Sequence, residues 1–165
     1  MKRKTISILI CICLTAATAA VFTGCGTEVT ADISAYGGSG IVICGLKSKT
    51  FIVTPNQLKD MECVKETAEG KSEKAGKVKA AGPLLETFVG EYGHKQTDFS
   101  KVTFKARDGY TTVLDKEFLK SHQTIVMSIA DGNKALKKDE APLRLLIPGA
   151  ASMYWTKMIR EIDFE

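Results

Sequence analysis

The side chain best placed to do chemistry is a single arginine inside an apolar run. Arg144 lies within residues 141–149, a stretch of apolar residues that closes with Pro-Gly. A continuous apolar run of this length predicts a strand that is buried on both faces. A guanidinium keeps its charge, so Arg144 must either bind an anionic ligand or pair with a carboxylate such as Asp108 or Glu140.

The five cysteines are the second set of potentially reactive groups. Cys11, Cys13 and Cys25 fall in the N-terminal segment, which leaves Cys44 and Cys63 for the folded part of the chain. Two thiols without a CxxC motif are too few for a structural zinc site. They could form one disulfide, or one could be a buried thiol and the other a functional one.

The N-terminal segment has the composition of an export signal. Residues 1–4 are basic, residues 6–22 are apolar and rich in small residues, and the segment closes at Phe22-Thr23-Gly24-Cys25. This closing sequence is similar to a bacterial lipobox, in which the cysteine receives lipid. We therefore expect a signal peptide over residues 1–24, lipidation of Cys25, and a protein anchored by lipid on the extracytoplasmic face of the cell membrane. An uncleaved anchor helix is the alternative.

Composition sets further limits on the remaining chain. Residues 25–40 carry the lipidated cysteine and a Gly-rich stretch, which predicts a flexible tether before a single domain at residues 41–165. Without the basic residues of the signal segment, the totals of 23 basic and 19 acidic residues become nearly equal. A nucleic-acid partner is therefore not expected.

Short strands outnumber helices in the domain. Apolar and β-branched runs predict strands near residues 41–46, 50–53, 62–67, 102–106, 110–114, 124–130 and 142–147. Residues 68–76 are predicted to be a loop or a hairpin tip. Helices are predicted from Pro55, where Thr54 and Gln57 form a capping box, and over residues 83–93. The Asp108-Gly109 pair predicts a hairpin turn. These elements indicate a β-rich α+β fold.

The order of these elements resembles the oxidoreductase molybdopterin-binding domain family, which has the sulfite-oxidase-like fold. Four segments between residues 41 and 165 carry the resemblance. They are Gly45-Leu46 with the strand that follows, the stretch from Gly82 to Leu85, the hairpin from Phe104 to Tyr110, and the run from Pro142 to Gly149 followed by Trp155 to Ile159.

The resemblance implies a domain that holds a molybdenum pterin. It implies Cys63 as the metal ligand, because a thiolate of the family occupies a nearby position, and Arg144 as a cofactor-binding residue. Such a protein would be a redox enzyme of the oxygen-atom-transfer class that works with a separate electron-transfer protein. The alternative is a cofactor-free surface binding module that has kept the fold and lost the catalytic site.

Overall fold

The computed structural model describes residues 26–70 and 76–165. The strands in these ranges are β1 (Ile41–Cys44), β2 (Phe51–Val53), β3 (Cys63–Glu69), β4 (Lys77–Pro83), β5 (Lys101–Ala106), β6 (Thr111–Asp115), β7 (Val126–Ser128), β8 (Ala130–Asp131), β9 (Lys134–Ala135), β10 (Arg144–Leu146) and β11 (Ile159–Phe164). The helices are α1 (Pro55–Lys59), α2 (Leu85–Gly90) and α3 (Lys116–Ser121), with 3-10 turns at Gln96–Asp98 and Ser152–Tyr154. The predicted β-rich α+β class is confirmed.

The larger sheet has five strands in the order β2-β1-β11-β5-β6. Its central strand, β11, pairs in parallel with β1 and antiparallel with β5, so strands from both ends of the domain meet in its middle. Ile43 and Phe104 flank Ile162 in the register of these three strands, and all three side chains are buried. Burial of this apolar row on one face fixes the register of the sheet.

The second sheet has four strands in the order β3-β4-β8-β9, and a separate ladder joins β7 to β10. The sequence analysis predicted a loop or hairpin tip over residues 68–76, which agrees with the antiparallel pairing of β3 and β4, from Cys63 opposite Pro83 to Glu69 opposite Lys77. It did not predict β4 itself. Alternating lysines and then small residues give β4 few of the bulky side chains that mark a strand. Main-chain bonds such as Ile129 N–H to Ala81 O then connect this sheet to β7 and β10.

The structure contains both helices expected from the sequence, but only one begins at the predicted residue. Helix α1 begins as predicted, because the Thr54 side chain accepts a hydrogen bond from Gln57 N–H and the Gln57 side chain accepts one from Thr54 N–H. Helix α2 is shorter than predicted, since Pro83 belongs to β4 and Leu84 is still extended. No helix in the described ranges is long and apolar enough to cross a membrane.

The residues before β1 pack onto the domain. Val29, Ala31 and Ile33 are buried in the core, and Tyr36 O–H donates to Ile129 O at 2.8 Å. The same phenol oxygen accepts from Leu136 N–H at 2.8 Å. The prediction of a flexible tether is therefore wrong for residues 26–40, because apolar side chains at alternate positions anchor a stretch whose overall composition suggested a linker. Cys25 and the predicted signal peptide lie outside the described residues.

Candidate functional site

Arg144 occupies the centre of a buried ion-pair network. It begins β10 opposite Ser128 of β7, and only 3% of the residue is exposed. Its Nη1 donates to Glu140 Oε2 at 3.0 Å, its Nη2 donates to the main-chain oxygen of Lys79, and Asp131 Oδ1 lies 3.9 Å from Nη2. The pairing with Glu140 agrees with one of the two alternatives for Arg144, with Glu140 rather than Asp108 as the partner.

Glu140 links Arg144 to a second cation. Its Oε1 lies 2.7 Å from Lys157 Nζ, whose side chain is 47% exposed, whereas the Arg144 side chain is only 4% exposed. Burial alone would raise the pKa of Glu140, but the hydrogen bond from Lys157 and the charges of Arg144 and Lys157 together bring that pKa below its usual value. The carboxylate is therefore ionised at neutral pH, and with Asp131 it balances the two cations.

Cys63 begins β3 and points into the protein. The residue is 3% exposed, and its Sγ contacts the main-chain oxygens of Leu58 at 3.6 Å and Lys59 at 3.8 Å. Burial, with a smaller contribution from Asp60, raises the pKa of this thiol to about 11, against a small opposing effect of Lys59. Without a metal, Cys63 is thus a protonated donor at neutral pH.

The surroundings of Cys63 also lack partner ligands. Within residues 26–70 and 76–165, no group of three or more His, Cys, Asp or Glu side chains could hold a metal ion. Cys63 and Cys44 are both free thiols, which leaves the disulfide alternative without support. Within the described ranges, Cys63 is therefore not part of a metal site built from several side chains.

Cys63 and Arg144 do not share a site. Cys63 faces Pro83 in the β3–β4 ladder, whereas Arg144 contacts Lys79, four residues away along β4. Four residues of a strand span about 13 Å, so a ligand on the thiol would lie well away from the guanidinium. The structure does not bring together the two side chains that the resemblance pairs.

A cavity of about 440 Å³ lies against the residues that precede β10. Its charged wall comes from Arg107 in the hairpin turn, Lys138 in the loop before β10, and Arg160 in β11. Its apolar wall includes Tyr36, Leu136 and Pro142.

Sequence reasoning missed this site, because its parts are far apart in the chain and Tyr36 was assigned to the tether. The only signal was the position of Arg107 directly before the Asp108-Gly109 turn.

None of the three cavity cations forms a salt bridge with another described residue. The acidic residues adjacent to them in sequence are directed elsewhere. Asp108 and Asp139 line a different cavity, and Glu161 pairs with Lys105 at 2.6 Å. Among the described residues, no carboxylate balances the charge of this cavity, in contrast to the network around Glu140.

Comparisons with known proteins agree with the fold. The model of the oxidoreductase molybdopterin binding domain family matches residues 48–165. Among solved structures, the sulfane dehydrogenase SoxCD from Paracoccus pantotrophus is similar, with a TM-score of 0.62 and 18% sequence identity. The match covers 83% of this chain and 40% of that one, so the chain spans less than half the length of this relative. No curated protein matches the sequence.

The family match extends from β2 to the end of β11. It includes the second sheet, every strand of the larger sheet except β1, the ion-pair network, and Arg107, Lys138 and Arg160 of the cavity. The chain belongs to the oxidoreductase molybdopterin-binding domain family, and its fold is the sulfite-oxidase-like fold of that family.

Proposed function

We propose that this protein is a lipid-anchored, extracytoplasmic binding domain that uses the family's fold to hold a small ligand. The observation that carries the proposal is the cavity bounded by Arg107, Lys138 and Arg160, a preformed site whose positive charge no carboxylate of the described residues balances. Pockets of this size that combine apolar walls with a few charged groups are typical of small-molecule sites.

The two residues that the resemblance implies for the cofactor are bonded within the protein. The Arg144 guanidinium donates to Glu140 and Lys79, and the Cys63 thiol donates to main-chain oxygens. If Arg144 turned to a ligand, the buried Glu140 carboxylate would keep only Lys157 as a partner, at a cost of several kcal/mol. The Arg144 guanidinium and the Cys63 thiol thus both stabilise the folded domain.

A redox function is the second candidate, supported by family membership. Members of the family hold a molybdenum pterin, which supplies oxygen-atom transfer when bound, and the similar SoxCD protein is a sulfane dehydrogenase. In this function Cys63 would be the metal ligand, as the resemblance implies, and a separate protein would exchange electrons with the pterin.

Attachment to the membrane is part of the proposal and rests on the lipobox-like sequence ending at Cys25. With two or more acyl chains on this residue, the domain would remain at the membrane without a spanning helix. We expect labelled palmitate to be incorporated into the full chain and to be lost in Cys25→Ser.

The test of binding against redox function is a metal measurement. The full chain and Cys63→Ser are expressed in a host that makes molybdopterin, and bound molybdenum and pterin are quantified per protein. We expect well-folded protein with far less than one molybdenum per chain and no difference between the two forms. Near-stoichiometric molybdenum and pterin would support the redox function instead, and their loss in Cys63→Ser would identify the thiol as the metal ligand.

A further inference from the structure

We propose that the cavity between the N-terminal segment and β11 binds an organic oxyanion, with a carboxylate or phosphate group on Arg107 and Arg160 and an apolar body against Tyr36 and Leu136. This inference rests on the proposed binding function and names the chemical class of its ligand.

The charge of the cavity supports an anionic ligand. Arg107, Lys138 and Arg160 come from three separate parts of the chain and line one space, without a salt bridge to another residue in the described ranges. Like charges around a partly apolar space repel one another more strongly than they do in water, and a bound anion removes that repulsion. Two guanidinium groups favour an oxyanion, because the planar fork matches two oxygens of a carboxylate or phosphate.

The side chain of Arg160 has no hydrogen-bond acceptor among the described residues. Its Nε is inaccessible to solvent and has no hydrogen-bond partner among the described residues. The Nε of Arg144 also has no partner, but the terminal nitrogens of Arg144 are bonded to Glu140 and Lys79, whereas Arg160 has no such bonds. Because solvent does not reach this Nε, a ligand oxygen in the cavity would be bound by the terminal nitrogens of Arg160.

The apolar wall is held in place before any ligand binds. The Tyr36 hydroxyl donates to Ile129 O and accepts from Leu136 N–H, each at 2.8 Å, which fixes the ring against the core. Burial raises the pKa of Tyr36, so the phenol stays neutral and adds no negative charge near the cations. A preformed apolar surface beside fixed charges selects ligands that carry both features.

The test is calorimetric titration of the full chain with benzoate and phenyl phosphate. Acetate and inorganic phosphate serve as probes without an apolar body, and benzyl alcohol serves as a probe without charge. We expect at least one aromatic oxyanion to bind about tenfold or more tightly than its small counterpart, and benzyl alcohol not to bind. Binding should weaken as salt concentration rises. Failure of both aromatic oxyanions to bind at millimolar concentration, or equal affinity for the small anions, overturns the proposal.

Variants locate the binding to the cavity. Arg107→Met and Arg160→Met should each weaken binding about tenfold or more, the effect expected when a charge-assisted hydrogen bond is lost. Lys120→Met removes the same charge from an exposed helix and should leave the affinity unchanged. Arg107 is exposed in a turn, so its variant tests the site even if Arg160→Met fails to fold. Unchanged affinity in Arg107→Met overturns the assignment.

Molybdenum content measured on the same preparations separates this inference from the proposed function. Protein that carries stoichiometric molybdenum contradicts the binding-domain function whatever the anion result. If the protein is folded and metal-free but binds neither aromatic oxyanion, the proposed ligand class is wrong and the binding-domain function is not contradicted.

Discussion

Glu140→Gln tests whether the buried ion-pair network stabilises the domain. The substitution keeps the size of the side chain but removes the charge that faces Arg144 at 3.0 Å and Lys157 at 2.7 Å. Lys157 is half exposed and can be solvated by water, whereas Arg144 stays buried. Removing one partner of a buried pair costs about 3–5 kcal/mol, and we expect the lower end because Arg144 retains Lys79 O and Asp131. For a domain of this size, a loss of about 3 kcal/mol lowers Tm by about 10 °C.

The pH dependence gives a sharper result than the value at one pH. Because the pKa of Glu140 is lowered in the folded state, its contribution is complete above the ordinary carboxyl pKa of about 4.3 and is lost as pH falls through the lowered value. The difference in unfolding free energy between Glu140→Gln and the parent should therefore be largest near pH 7 and shrink below about pH 4. This difference is measured by urea unfolding at several pH values, with circular dichroism as the signal.

Glu161→Gln is the matched control. It breaks the Lys105–Glu161 pair, in which both side chains are at least one-third exposed, and exposed pairs contribute at most about 1 kcal/mol. If Glu140→Gln destabilises no more than this control, or if its effect is the same at pH 7 and pH 3, the network does not stabilise the fold as argued.

Two further predictions concern the backbone near β1 and the thiol of β3. Gly45→Ala should lower the unfolding free energy by about 3 kcal/mol, because φ is +75° there and a Cβ would lie 1.8 Å from Phe164 O. Gly90 has open space around it, so Gly90→Ala should leave the unfolding free energy nearly unchanged. Thermal unfolding of both variants measures the difference. Cys63, with its pKa raised to about 11, should react with iodoacetamide at pH 8 at least about 100-fold more slowly in folded than in urea-unfolded protein, as followed by peptide mass spectrometry. Equal reaction rates in the two states would show that the thiol is accessible.

Local chemistry predicted those parts of the fold that depend on neighbouring residues. The Thr54 capping box and the Asp108-Gly109 turn were predicted because their signals lie within a few residues. Strand β4 was missed, since Gly82 suggested a helix entry when its role is close packing. A Cβ at Gly82 would lie 2.1 Å from Met127 O of the neighbouring strand β7, and only the tertiary structure shows that approach.

The candidate site was predicted in part. The apolar run identified Arg144 as a buried cation and Glu140 as one of its possible partners, because burial and charge together demand such a pair. The cavity could not be predicted, since it depends on where Tyr36 and Arg160 meet after folding. The resemblance to the family favoured Cys63 as a ligand, but a family pattern does not reveal that this thiol faces main-chain oxygens.

The central position of β11 has a consequence for biosynthesis. A nascent chain that has emerged only as far as residue 150 contains β1 and β5 but not the strand that joins them. Ile43 and Phe104 then have no Ile162 to cover, so the larger sheet cannot close until nearly all of the sequence is available. A stop codon before residue 159 would thus remove the middle of the sheet rather than an edge.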